Sequence, residues 1–172
     1  MSGISDQVAA QLAGTNFASL NEGAVRAACR VLLDATGVML GASGLASEAA
    51  PFLQLAQASG NGPCRVLGTT ITAQPAAAAL ANGALAHALD YEDAFDLAPG
   101  HPNASLIPAL LALSQAEGPV DGRRFIAALV AGCELSCQMG LALRRPMEEG
   151  GWYPPPILAG FGAAAGAAQL LG

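Results

Sequence analysis

GGWYPPPILAGFGAAAGAAQLLG, residues 150–172, carries no charged side chain, and neither does PAAAALANGALAHAL, residues 75–89. Segments this small and this apolar constrain the fold more than anything else in the chain. Alanine and leucine favour helix, and a helix without a polar face is stable only where neighbours enclose it. The tail is long enough to be read as a membrane span. Its three consecutive prolines and many Gly and Ala gain little on transfer to lipid, however, so no membrane association is expected. Gly162 and Gly166 stand four residues apart among alanines and leave one helix face close to bare backbone. A second helix can then approach closely, with dispersion contacts replacing interdigitated side chains. The cost is helix propensity, about 1 kcal/mol per Gly relative to Ala. With the chain ending at Gly172, the clasping neighbours are expected elsewhere.

The whole chain shares this character: of 172 residues, 53% are hydrophobic and only 12% charged. That length suits one domain, and the charge content falls well below the usual quarter. Too few polar side chains remain to solvate a full surface, so another subunit or further sequence is expected to cover part of it. The net charge of −6, with no lysine and seven arginines, excludes nucleic acid as a partner. No basic segment opens the chain, so no signal peptide is expected. Cys133 and Cys137 lie one helical turn apart with no histidine near them. The four cysteines therefore read as buried reduced thiols in a cytoplasmic protein rather than as metal ligands.

The pattern predicts an all-α bundle. Helices are expected over residues 5–13, over 22–40 with Asn21 as N-cap, and over 47–58 with Ser47 as cap and Pro51 in the first turn. Val25, Cys29, Leu32, Leu33 and Thr36 are the expected buried stripe of the second. SGNGPCRVLGTT reads as a turn followed by a short extended piece, Cys64 to Leu67. A helix then starts near Thr72 or Gln74, another runs from just past His101 to Gly118, and Asp121 caps the next. A loop EEGGWYPPP precedes a final helix opening at Pro156 or Ile157.

Against this background HALDYEDAFDLAPGHPNAS, residues 87–105, stands apart: it holds both histidines and four of the thirteen acidic residues. His87 falls near a helix C-terminus, where a cation is favoured. Asp90, Glu92, Asp93 and Asp96 follow, and His101 precedes a helix whose unpaired N–H groups suit an anionic substrate group. Imidazole beside carboxylates is a natural acid–base arrangement near neutral pH. A solvated acidic loop with a histidine cap has the same sequence appearance. No tight ligand spacing of the HExxH kind marks a metal site, and none is expected.

LANGALAHALDYEDAF, then GHPNASLIPALLAL, then GGWYPPPILAGFGAAAGAAQLLG resemble, in order and spacing, the motifs of the MmgE/PrpD family. The resemblance covers essentially the whole chain. It implies a mostly helical domain that packs against a smaller lid, with the active site between them. It also implies proton transfer next to a carboxylate of a di- or tricarboxylate such as 2-methylcitrate or cis-aconitate, with loss of water or CO₂ or inversion at carbon, and no dedicated cofactor. By position, Asp90 and Asp93 match the first and last acids of the family's DYDDT, and His101 matches the histidine of HPS. Asn82, Gly83 and His87 match the preceding NG and AH. The resemblance therefore implies His101 as acid–base group with Asp90 orienting it or binding the substrate, and Asp93, Asn82, His87 and Asn103, the last in place of a family serine, as substrate-binding residues.

The departures are specific. Ala94 replaces the family threonine, and GWYPP replaces GFHPT, so Tyr153 takes the place of a histidine and Pro155 that of a threonine. Tyr153 is kept as a third catalytic candidate, as hydrogen-bond donor or acid, since a phenol is a poor base at neutral pH. Family members are also longer, with a lid and lysines that have no counterpart here. A carboxylate substrate needs cations around it. The leading expectation is therefore a lyase or lyase subunit whose site a homo-oligomeric or complementary polypeptide completes. An epimerase, isomerase or hydratase of altered specificity, and a non-catalytic helical scaffold, are the alternatives.

Overall fold

The computed structural model describes residues 3–172. Seven α-helices are present among them: α1 (Ile4–Gly14), α2 (Glu22–Leu45), α3 (Ala50–Ala58), α4 (Pro75–His87), α5 (Asn103–Ala116), α6 (Gly122–Leu141) and α7 (Pro154–Leu171). The only sheet among the described residues is a hairpin, β1 (Cys64–Arg65) antiparallel to β2 (Thr72–Ala73), with Cys64 opposite Ala73. The fold is all-α, as the pattern predicts.

Caps explain where several helices begin. The Asn21 side chain accepts from the Ala24 N–H at 2.8 Å, and Asp121 accepts from Arg123 N–H at 2.7 Å, each satisfying orphan first-turn donors. Ser47 does not cap α3. It lies inside a short 3-10 turn, Ser47–Ala49, and Pro51 sits in the first turn of the helix that follows. Thr72 pairs in the hairpin instead of opening α4, which starts at Pro75. The last helix begins at Pro154, two residues before the expected opening. All three prolines fit its first turn because no intrahelical bond needs their missing N–H there.

Two expectations about packing are corrected. In α2 the buried residues are Ala28, Ala35, Met39 and Ala42, whereas Leu33 is 74% exposed and Cys29 is exposed. Alanines at 28, 35 and 42 repeat every seven residues. They give a flat, close-packing face that hydrophobicity alone did not single out from the leucines around it. Cys29 consequently departs from the expected set of buried thiols, although all four cysteines are free. Second, the glycine face of α7 finds its neighbours within this chain. A Cβ placed at Gly132 of α6 would stand 2.6 Å from the Gly162 carbonyl oxygen and 2.7 Å from Leu106 Cδ1 of α5. One placed at Gly166 would meet the same Leu106 Cδ1 at 2.5 Å. Ser136 Oγ–H donates to the Leu158 carbonyl at 3.0 Å across this contact. The α6–α7 pair is the most extensive helix contact in the molecule, with α5 packed against both.

One apolar cluster joins these helices, drawing on Met39, Leu85, Leu106, Ile107, Leu110 and Leu129. By length and composition α2 and α6 could each cross a bilayer, though half of the apolar window of α6 is buried in the bundle.

Candidate active site

A cavity of about 700 Å³ opens between α3, α4, the segment linking α4 to α5, and the starts of α5 and α7. Most of its wall is apolar, from Phe52, Ala79, Leu80, Ala84, Pro156 and Ala159. The polar exceptions are His87, Glu92 and His101 together, with Glu48, Ser105 and Tyr153. No arginine lines it.

Folding brings the two imidazoles together from either side of the acidic segment. His87 is the last residue of α4, and the backbone turns back at once: Asp90 N–H donates to the His87 carbonyl at 3.0 Å, with Asp90 at φ +55°. Aspartate tolerates this left-handed conformation better than most residues. The turn carries Glu92 inward, where its side chain is only 3% exposed. Oε1 of Glu92 is hydrogen-bonded to Nδ1 of His87 and lies 4.0 Å from Nδ1 of His101, while Oε2 is buried with no hydrogen-bond partner among the described residues. The two rings lie 6.4 Å apart between centroids, inclined at 52°.

His101 is held differently. Its Nδ1 lies 2.8 Å from the Asp93 carbonyl oxygen. A carbonyl only accepts, so Nδ1 carries the hydrogen and Nε2 keeps its lone pair in the neutral ring. Asp93 is fixed in turn by the Asn103 N–H, which donates to Oδ1 at 3.3 Å, and Asn103 Oδ1 accepts from the Cys133 thiol at 3.0 Å. Burial raises the Asp93 carboxyl above its ordinary range, opposed by the hydrogen bonds from Asn103 and by the nearby His101. Burial also pushes the Cys133 thiol up to about 12, with the Asp93 charge adding to it. That thiol is therefore a protonated donor at neutral pH and no nucleophile.

The expected site residues divide into two groups. His101, His87 and Tyr153 line the cavity, Tyr153 at its mouth and 61% exposed. Asp93 and Asn103 do not line it, and they stand behind His101 as its supports. Asp90 is exposed and off the cavity wall, beside His87 rather than His101. Asn82 departs furthest from its expected role. It is 1% exposed, its Oδ1 accepts from Leu67 N–H at 2.9 Å, and its Nδ2 donates to the Arg65 carbonyl at 3.0 Å. Both ends of the amide are committed to pinning β1 against α4, which leaves nothing for a substrate. Glu92 is the residue that sequence reasoning missed. Its only signal was membership of the acidic run, which it shares with the exposed Asp96.

His87, Asp90 and Glu92 also bring three ligand-type atoms within 4.8 Å of one another. His87 and Glu92 already bond to each other through Nδ1 and Oε1.

The chain is 33% identical over 118 residues to a cis-aconitate decarboxylase-like protein of Aspergillus oryzae, covering 64% of this chain and 24% of that protein. It is 27% identical over 178 residues to the cis-aconitate decarboxylase of Mus musculus, covering 98% of this chain and 36% of that protein. The chain thus spans about a quarter to a third of the length of these relatives. The MmgE/PrpD N-terminal domain matches residues 6–172, and the chain belongs to the MmgE/PrpD family.

Proposed function

We propose that this chain supplies the acid–base wall of a lyase site that acts on a di- or tricarboxylate, removing water or CO₂ after proton transfer next to a carboxylate. The observation that carries this reading is the cavity with two imidazoles and a buried carboxylate on one side and no arginine anywhere on its wall. Imidazoles suit proton transfer at neutral pH. The substrate's own carboxylates need positive partners, so a further polypeptide segment is proposed to supply them and close the cleft.

In this reading His101 is the base, since its Nδ1–H is committed to the Asp93 carbonyl and Nε2 is the nitrogen left for chemistry. Asp93 and Asn103 hold its orientation. The test is to purify the chain with the polypeptide that completes it and assay dehydration of 2-methylcitrate and decarboxylation of cis-aconitate. His101→Ala is expected to lower turnover by about 10²- to 10⁴-fold, and undiminished turnover removes His101 from the chemistry.

Ala94, Tyr153 and Pro155 support a second reading, an epimerase, isomerase or hydratase of a different carboxylate. Tyr153 at the cavity mouth offers a phenol to a substrate group, and exposed Ala94 offers no hydroxyl. Turnover of a substrate that neither loses water nor CO₂ would favour it.

A further inference from the structure

We propose that His87 and Glu92 form a carboxylate–imidazole pair that delivers a proton to the departing hydroxyl of a 3-hydroxycarboxylate, while His101 takes the proton from the neighbouring carbon. This rests on the lyase reading above and assigns its two proton transfers to two different rings.

The assignment follows from what holds each Nδ1. On His101 the partner is a neutral carbonyl, 2.8 Å away. On His87 it is Glu92, whose side chain is 3% exposed and whose second oxygen has no hydrogen-bond partner among the described residues. A carboxylate on Nδ1 stabilises the imidazolium that a proton donor must carry, as it does for the histidine of a serine-protease triad. A carbonyl orients the ring without that full charge bonded to it, the same Glu92 oxygen standing off at 4.0 Å. Asp90, within 4.8 Å of the His87 and Glu92 ligand atoms, adds negative charge beside the His87 ring. Both rings line one cavity with centroids 6.4 Å apart, about twice the ~3 Å reach of a proton-transfer hydrogen bond.

The step balances. His101 Nε2 takes the proton from the carbon next to the carboxylate, and the C–H electron pair is held as the enolate of that carboxylate before it becomes the new C=C bond. The adjacent C–O bond breaks with its pair on oxygen, which leaves as water with the proton from His87 Nε2. His101 ends protonated and His87 neutral, and exchange with solvent resets both.

The test uses the active protein, this chain with its completing polypeptide, with 2-methylcitrate as probe in deuterated water. It compares product formation with deuterium incorporation into recovered substrate. His101→Ala is expected to lose both. His87→Gln and Glu92→Gln are expected to lower product formation by about 100-fold yet still exchange the carbon-bound hydrogen, and Glu92→Asp to recover part of the loss. Unchanged product formation, or equal loss of exchange and product, in the first two overturns the proposal. A second arm needs no turnover. In NMR spectra of the chain, a downfield Nδ1–H of His87 should be present in the wild type and absent in Glu92→Gln. Its absence from the wild type sinks the pair. A wild type that shows this proton but turns over no carboxylate sinks the lyase reading instead.

Discussion

At the scale of single residues, the buried polar groups separate structural work from chemistry. Asn82 bridges Leu67 N–H and the Arg65 carbonyl. Asn82→Ala orphans both and is expected to cost about 1–3 kcal/mol, visible as a lowered urea midpoint; an unchanged midpoint would return Asn82 to the list of substrate ligands. Asp93 gives a pH signature. Its folded carboxyl is raised by burial, so folding favours the neutral form. That contribution is complete below the unfolded value of 3.8 and is lost as pH climbs through the folded one. Asp93→Asn keeps the shape and removes the charge, so its stability should exceed the wild type's above the folded value and converge with it at lower pH. Parallel pH–stability curves would contradict this. The sequence marked His101 and His87 because histidine beside carboxylates is rare in so charge-poor a chain, whereas Tyr153 was marked only by its place in the motif that carries the family resemblance. It hid Glu92 because four acids in one segment look alike, and only the turn at Asp90 decides which of them is carried inward.

At the scale of elements, caps and prolines announced most helix boundaries. The faces were harder to read. In α2, hydrophobicity spreads around the whole helix, and the face that makes contact is mostly small, with Ala28, Ala35 and Ala42 inside beside Met39 and Leu33 outside. The hairpin was half visible, since β1 was expected and its partner β2 sits in residues that read equally well as a helix start. In α7 two glycines two positions apart give opposite expectations. Gly160 has open space where a Cβ would go, so Gly160→Ala should stabilise by up to about 1 kcal/mol through helix propensity. Gly162→Ala would drive a methyl into Ser136 and the Gly132 carbonyl and should destabilise by about 1–3 kcal/mol. Thermal unfolding of the two variants side by side checks this, and a shift of the same sign in both would refute the close backbone approach of α6 and α7.

At the scale of the molecule, the outer side of α2 leaves Leu33 and Leu40, seven residues apart on one face, at 74% and 49% exposure. Exposed leucines on one helix face are the kind of surface that associates. The isolated chain is expected to sediment as concentration-dependent larger species, and replacing Leu33 and Leu40 by Gln should shift it toward monomer. A wild type that stays monomeric at high concentration would oppose this. The helix α7 carries a mechanical consequence. One side of it is locked backbone to backbone against α6, while Pro155, Pro156 and Ala159 form part of the cavity wall. Such a wall cannot swing on its own, because any tilt would prise apart the tightest seam in the bundle. Within this chain, any widening of the pocket is therefore expected on its other walls, at α3, the segment between α4 and α5, and Tyr153, with α7 as the fixed jamb.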